Sequence, residues 1–177
     1  MCIRDRNWKD VSNSKDLTLS HFFNYSPQLR ISSTLSFDKN DYYNNANYNT
    51  DGKSLSLEAD LISKSGTSYS GKIRLTDNDA VSKPYGNEKK YISASIGSKL
   101  PLNFYINASI GLEKTKYDAY QFMWLTTRED DLELISINLK NERIYFKNFY
   151  PQINFTIRDN DSNVDTYKTS SNSASLY

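Results

Sequence analysis

Cysteine occurs once, at Cys2, so no disulfide can form within the chain. Histidine also occurs once, at His21. With one of each, no Cys or His cluster exists to hold zinc or iron. Glycine is scarce, at six residues, and no Gly-rich phosphate loop can be read among them. The net charge is only +1, and no basic stripe offers a surface to nucleic acid. No apolar run is long enough for a transmembrane helix or a signal peptide. A missing signal ordinarily argues for the cytoplasm. We expect instead that the native N-terminus lies upstream, because Met1-Cys2-Ile3-Arg4-Asp5-Arg6 resembles translated sequencing-adaptor sequence. Residues 1–6 then fall outside fold reasoning, and 1–14 read as a non-native or disordered leader.

What remains is unusual in its balance. Hydrophobic residues make up 37% of the 177 residues and mean hydropathy is −0.71, low for a soluble globule. Yet 14 Tyr and 8 Phe are too many aromatics for a disordered chain. Few aliphatics, many aromatics and abundant Ser, Thr and Asn suit a wall that is apolar outside and wet inside. They suit equally a soluble β-sandwich with polar outer faces.

Period-two alternation runs through the chain. Phe149-Tyr150-Pro151 turns into a strand with Pro151, Ile153, Phe155 and Ile157 on one face. Gln152, Asn154, Thr156 and Arg158 take the other. Leu55, Leu57, Ala59 and Leu61 alternate in the same way before the Lys64-Ser65-Gly66 turn. Tyr69, Gly71, Ile73 and Leu75 follow it. Glu58, Asp60, Lys72 and Arg74 share the polar face and are placed to pair across strands. Further strands are marked by Leu17 to Phe23, Leu29 to Phe37, Ile92 to Ile96, Phe104 to Leu112, and Ile135 to Leu139. The last strand is weak, within 164–177.

Residues 118–128 fit either a strand or an aromatic loop. Taken as a loop, they make the connections alternate regularly. Short turns at 24–26, 64–66, 99–101 and 147–149 separate long ones at 39–53, 78–87 and 118–128, with 159–163 last. Outer-membrane barrels alternate short periplasmic turns with longer external loops in this way. The expectation is an all-β, antiparallel, up-and-down transmembrane β-barrel, present as an incomplete fragment of about nine strands over 15–177. Bacterial barrels have even strand numbers. The odd count therefore suggests the C-terminal part of a longer chain.

Tyr117-Asp118, Arg128-Glu129-Asp130, Leu139, Tyr150-Pro151-Gln152-Ile153, Asp161-Ser162-Asn163 and Tyr167 follow one another in an order that resembles the barrel domain of the surface lipoprotein assembly modifier family. The spacing from Pro151 to Ser162-Asn163 is the most specific part. The Gly expected before the Pro turn is replaced by Lys147-Asn148-Phe149, and the terminal aromatic strand end is absent. The resemblance implies a Gram-negative outer-membrane barrel that helps lipoproteins, or related exported proteins, across the membrane. It implies a periplasmic helical domain upstream. It also makes Tyr117, Asp118, Arg128, Asp130, Pro151, Ser162 and Asn163 structural motif residues. The expected partners are outer-membrane lipid and exported protein cargo, with no cofactor, no nucleic acid and no catalysis. The competing readings are another outer-membrane barrel, such as a porin or receptor fragment, and the soluble β-sandwich binding module.

Lesser candidates have plainer explanations. His21 has no diagnostic Ser motif near it and reads as a wall or rim residue. Asp159-x-Asp161-x-Asn163-x-Asp165 begins like a calcium loop, but Val164 and Ser170 stand where Gly and Glu are needed. Tyr42, Tyr43 and Tyr48 lie in an Asn-rich external loop, where they suit either stacking on a partner or simple mobility. Tyr69, Tyr91, Tyr105 and Trp124 are candidates for interfacial girdles, with Tyr105 on the polar-facing phase and so also a candidate for the lumen.

Overall fold

The computed structural model describes residues 12–43, 45–121, 125–141, 143–144 and 151–176. They form one sheet of nine antiparallel strands in sequence order. The strands are β1 Ser12–Asn24, β2 Leu29–Tyr42, β3 Thr50–Ile62, β4 Ser68–Ala80, β5 Asn87–Lys99, β6 Phe104–Gln121, β7 Thr126–Asn141, β8 Gln152–Ser162 and β9 Thr169–Leu176. β1 begins at Ser12, so 12–14, read above as leader, lie in a strand.

The sheet is a single layer. Among the described residues, Ala80 and Val164 are the only buried apolar side chains. A β-sandwich would bury two inner faces about 10 Å apart, so that reading fails. Leu55, Leu57, Leu61, Ile73, Leu75 and Ile110 stand exposed, while Phe104 and Ile106 are half-buried. On the opposite phase Ser54, Ser56, Glu58 and Asp60 are half-buried, as are Ser93, Ser95 and Ser136. Side chains on the polar face shade one another more than those on the apolar face. That is the inverse of a soluble fold and the pattern of a lipid-facing wall.

One rung of the ladder runs Phe37–Lys53–Asp77–Glu88–Lys116–Glu129, and Asn163 continues it with its backbone N–H on the Glu129 carbonyl at 3.1 Å. On the outward phase, the last apolar residue of β2 is Phe37, on that rung. On β3 and β4 it is Leu55 and Leu75, two residues below. On β5 and β6 it is Ile92 and Leu112, four below. On β7 and β8 it is Ile135 and Ile157, six below. The boundary therefore descends one residue per strand. With about 3.3 Å per residue and about 4.8 Å between strands, a level boundary needs strands tilted by about 35°. Barrel strands tilt by about 35–45°. A staircase in sequence register is a flat water line on a tilted wall.

Charges on the polar face find partners. Lys72 pairs with Glu58 at 3.2 Å, and Arg30 with Asp60 at 3.0 Å. Arg74 pairs with Glu113 at 3.5 Å rather than with a direct neighbour, and Lys89 shares that carboxylate at 3.9 Å. Tyr69 faces outward with Leu61 and Ile96. Tyr91 instead faces inward and lies over Gly111, where an added Cβ would sit 2.8 Å from its hydroxyl. Tyr105 does the same over Gly97. Two of the four girdle candidates thus line the polar face, covering glycines that have no side chain of their own. Trp124 and the 147–149 turn lie outside the described residues.

The expected long loops are shorter. β6 runs to Gln121 and β7 starts at Thr126, with Tyr120 opposite Thr127 and a register shift after Lys116. The stretch 118–128 is therefore mostly strand. Likewise the loops at 39–53 and 78–87 shrink to 43–49 and 81–86, and β8 continues to Ser162. The strands extend past the apolar belt because backbone pairing satisfies their N–H and C=O groups whether or not either face meets lipid.

Candidate functional site

At the loop end of β6 to β9, Arg128 is held from three sides. Its Nε donates to Asp130 Oδ1 at 2.9 Å, and its Nη2 donates to the other carboxylate oxygen. Its guanidinium carbon lies 3.5 Å from the centre of the Tyr167 ring and 4.6 Å from that of Tyr117. Asp130 is buried, and the Arg128 side chain is 16% exposed. Alternation explains the meeting. Arg128 and Asp130 are two apart on β7, so they share the polar face, and Tyr117 on β6 shares it too. Tyr167 arrives from the β8–β9 turn.

Asn163 fixes that turn. Its Oδ1 accepts from Glu129 N at 2.9 Å, and its Nδ2 donates to Thr127 O at 2.8 Å. Ser162 is buried, and its Oγ accepts from Val164 N at 3.2 Å. The single 3-10 turn Asp165–Tyr167 follows, with Asn160 Nδ2 donating to Tyr167 O at 2.8 Å. Lys168 closes it on Asp165 at 3.1 Å and Asp161 at 3.5 Å. Those carboxylates, the hydrogen-bonded Asp165 first, raise the Lys168 pKa.

Asp118 sits apart from this cluster. Its N–H donates to Gly86 O at 3.1 Å, and its carboxylate rests where a Gly86 side chain would be. It fastens the β4–β5 turn to β6. That turn is itself tied to the β2–β3 turn through Val81 N to Asn49 O at 3.1 Å and Ser82 N to Asn47 O at 3.2 Å. Pro151 is remote, at the other end of the sheet, where its carbonyl accepts from Asn141 N at 3.2 Å and opens β8. The seven motif residues therefore form an Arg128–Asp130–Tyr117 cluster braced by Ser162 and Asn163, a neighbouring tie at Asp118, and a separate strand start at Pro151.

The sequence reading missed a repeat. Three of the loop-end turns are single 3-10 turns that end in tyrosine: Ala46–Tyr48, Lys83–Tyr85 and Asp165–Tyr167. Tyr85 donates to the Tyr48 hydroxyl at 3.4 Å with ring centres 4.6 Å apart, and Tyr42 stands 6.2 Å beyond. The hydrogen bond to Tyr48 is the main reason the Tyr85 pKa is raised. The signal was a tyrosine two residues before each strand restarts.

His21 faces outward opposite Ser33 and is exposed. Asp159 and Asp161 project outward from β8 while Asn163 is bound to β7, so the calcium-like donors diverge. Among the described residues no group of three or more His, Cys, Asp or Glu converges on a metal position.

Asn163→Leu keeps the backbone but removes both side-chain hydrogen bonds to β7. We expect a loss of about 1–3 kcal/mol in the full-length protein, seen as a lower melting point of its heat-modifiable gel band. Asn45→Leu, which removes one local bond to Asn47 N, should cost less than half as much. Equal losses would show that Asn163 braces nothing.

A family model described as surface lipoprotein assembly modifier matches residues 7–177. No curated protein matches the chain. Among solved structures, the beta domain of the Bordetella autotransporter BrkA is similar at 14% identity and a TM-score of 0.48, covering 93% of this chain and 76% of that one.

Proposed function

Because the chain belongs to the surface lipoprotein assembly modifier family, we propose that its polar face is wall along which a surface lipoprotein, or a related exported protein, passes through the bacterial outer membrane without a chemical step. Membership places the chain in the outer membrane and its role in surface protein assembly or translocation. The finer reading, guidance of cargo, rests on the two-faced sheet with its level boundary. Its outward face suits lipid. Its inward face on β7 to β9 is largely hydroxyl and amide: Ser136, Asn138, Asn154, Thr156, Ser171 and Ser173. Short polar groups offer a passing main chain weak, exchangeable hydrogen bonds, each worth about 1 kcal/mol at most. They neither trap nor repel it. The ion pairs on β2 to β6 cancel charge along the other flank. The cluster around Arg128 serves this reading as a brace that keeps the loop end open and rigid.

Photo-crosslinking tests it. A photoreactive residue at Ser136 or Thr156 in the full-length protein should capture lipoprotein during export. The same probe at Ile137 or Phe155, outward on the adjacent rung, should capture lipid. Cargo should leave with unchanged mass. Lipoprotein adducts from the outward pair, at the yield of the inward pair, would overturn the proposal.

A further inference from the structure

Toward the loop end from Ser136 and Thr156, the inward face changes character. The next inward rung pairs Leu134 with Arg158, and the one after it pairs Leu132 with Asn160. Among the described residues, these two leucines are the only apolar side chains on the inward phase of β7 and β8. Both are half-buried. Gly111 stands opposite Leu134 on β6, and the Tyr91 ring lies over it, so the apolar strip continues toward β5. On its other side Leu134 is the direct neighbour of Arg158, which is exposed. Ser171 follows on β9, too short to cover a guanidinium.

Arg158 is also the exception among the inward cations. Arg30, Lys72, Arg74, Lys89 and Arg128 each have a carboxylate at 3.9 Å or less, and Lys140 lies over the Tyr105 ring. Among the described residues Arg158 has no such partner. Glu113 on β6 is shared by Arg74 and Lys89, and Asp130 on β7 is held by Arg128. Asp159 and Asp161 project from the other face of β8. A face that otherwise balances its charges thus leaves one cation open, beside its one apolar strip.

From this placement we infer that Arg158, Leu132 and Leu134 form a docking point for the exported chain in transit. It takes an extended segment that carries an acidic side chain two residues from an apolar one. The carboxylate forks onto the guanidinium, and the apolar side chain lies on Leu132. The spacing fits. Residues two apart on an extended segment are separated by about 6.6 Å, and diagonal neighbours such as Arg158 and Leu132 by about 7–8 Å. The point stands one rung above Ile135 and Ile157, the top of the outward belt. A chain meets it there as it leaves the depth of the hydrocarbon. The inference rests on the proposed passage of cargo along this face.

The test uses full-length protein in liposomes, with a photoreactive residue at Thr156. The probes are three biotinylated Ser/Gly peptides that differ only at their centres: Asp-Ser-Leu, Lys-Ser-Leu and Asp-Ser-Ser. We expect Asp-Ser-Leu to give about ten times the adduct of Lys-Ser-Leu and about three times that of Asp-Ser-Ser. Arg158→Gln should abolish the preference for Asp over Lys and keep the preference for Leu. Leu132→Ser with Leu134→Ser should do the reverse. Lys90→Gln, on the outward face, should change neither. Equal yields from the three peptides, a preference for Asp that survives Arg158→Gln, or an equal loss from Lys90→Gln would each overturn the docking point. Capture of lipoprotein at Thr156 during export, together with no peptide preference, sinks this inference alone. Failure of both Ser136 and Thr156 to capture lipoprotein sinks the passage reading and this inference with it.

Discussion

Arg128→Ala will destabilise the full-length barrel by about 3 kcal/mol, the largest effect of any single truncation at the loop end. Two terms set the size. The guanidinium lies against two rings, at 3.5 and 4.6 Å, and each desolvated stack contributes about 0.5–2 kcal/mol. Removal also leaves Asp130 buried without its partner, and breaking a buried pair costs about 3–5 kcal/mol. Arg128 is partly exposed, so water recovers some of that, and the expected value falls below the lower end of the sum, about 4 kcal/mol. Arg128→Lys should lose more than half as much despite keeping the charge, because an ammonium can neither fork onto both oxygens of Asp130 nor stack flat on Tyr167. Guanidinium unfolding in micelles, followed by tryptophan fluorescence, measures both. A loss below about 0.5 kcal/mol for Arg128→Ala would mean that the motif cluster is decoration. Limited proteolysis gives a second readout: cleavage within 163–168 should quicken in step with the lost stability.

A charge on the outward face should be nearly as costly. Ile73 is exposed within the apolar belt of β4, which runs from Tyr69 to Leu75. Ile73→Arg places a guanidinium in hydrocarbon and should cost about 2–4 kcal/mol, the range for a midplane arginine on the lipid face of a barrel. Ser95→Arg faces inward, where Ser95 bonds Ser70 at 3.0 Å, and should cost under about 1 kcal/mol. The two sites are three residues apart in register on neighbouring strands, so the contrast isolates facing from position. In detergent-free refolding into vesicles, Ile73→Arg should also cut the folded yield. Similar effects from both substitutions would contradict the assignment of faces.

Much of this was legible in the chain. Leu55, Leu57 and Leu61 against Ser56, Glu58 and Asp60 announce a two-faced strand, and each such run is a strand. Phase alone puts Tyr91 inward, since Ile92, Ala94 and Ile96 point outward. Above the belt the signal fades for a physical reason. In Glu113-Lys114-Thr115-Lys116-Tyr117 neither face meets lipid, so both phases are polar and period two disappears, although the strand continues to Gln121. Pairing there is set by the neighbouring backbone, which no local pattern reports. The same limit hid the partner of Arg128. Its bond to Asp130 spans two residues and could be anticipated. Its contact with Tyr167 spans the β7–β8 connection, and only the register of Asp130 with Ser162 brings the ring over the guanidinium.

The strand order has a consequence for how the sheet forms. Every ladder joins strands adjacent in sequence, and the strand bounds leave connections of four to seven residues, with ten between β7 and β8. Closing such short loops costs little chain entropy, and that cost rises only with the logarithm of loop length. A Greek key must wait for a distant segment; this sheet can grow by zippering, each new strand laid on the last one formed. Contact order stays low for an all-β chain, which favours fast closure of each hairpin. The growing edge is also always the strand just added, so at any moment only that front and the outer edge of β1 need protection from misplaced pairing.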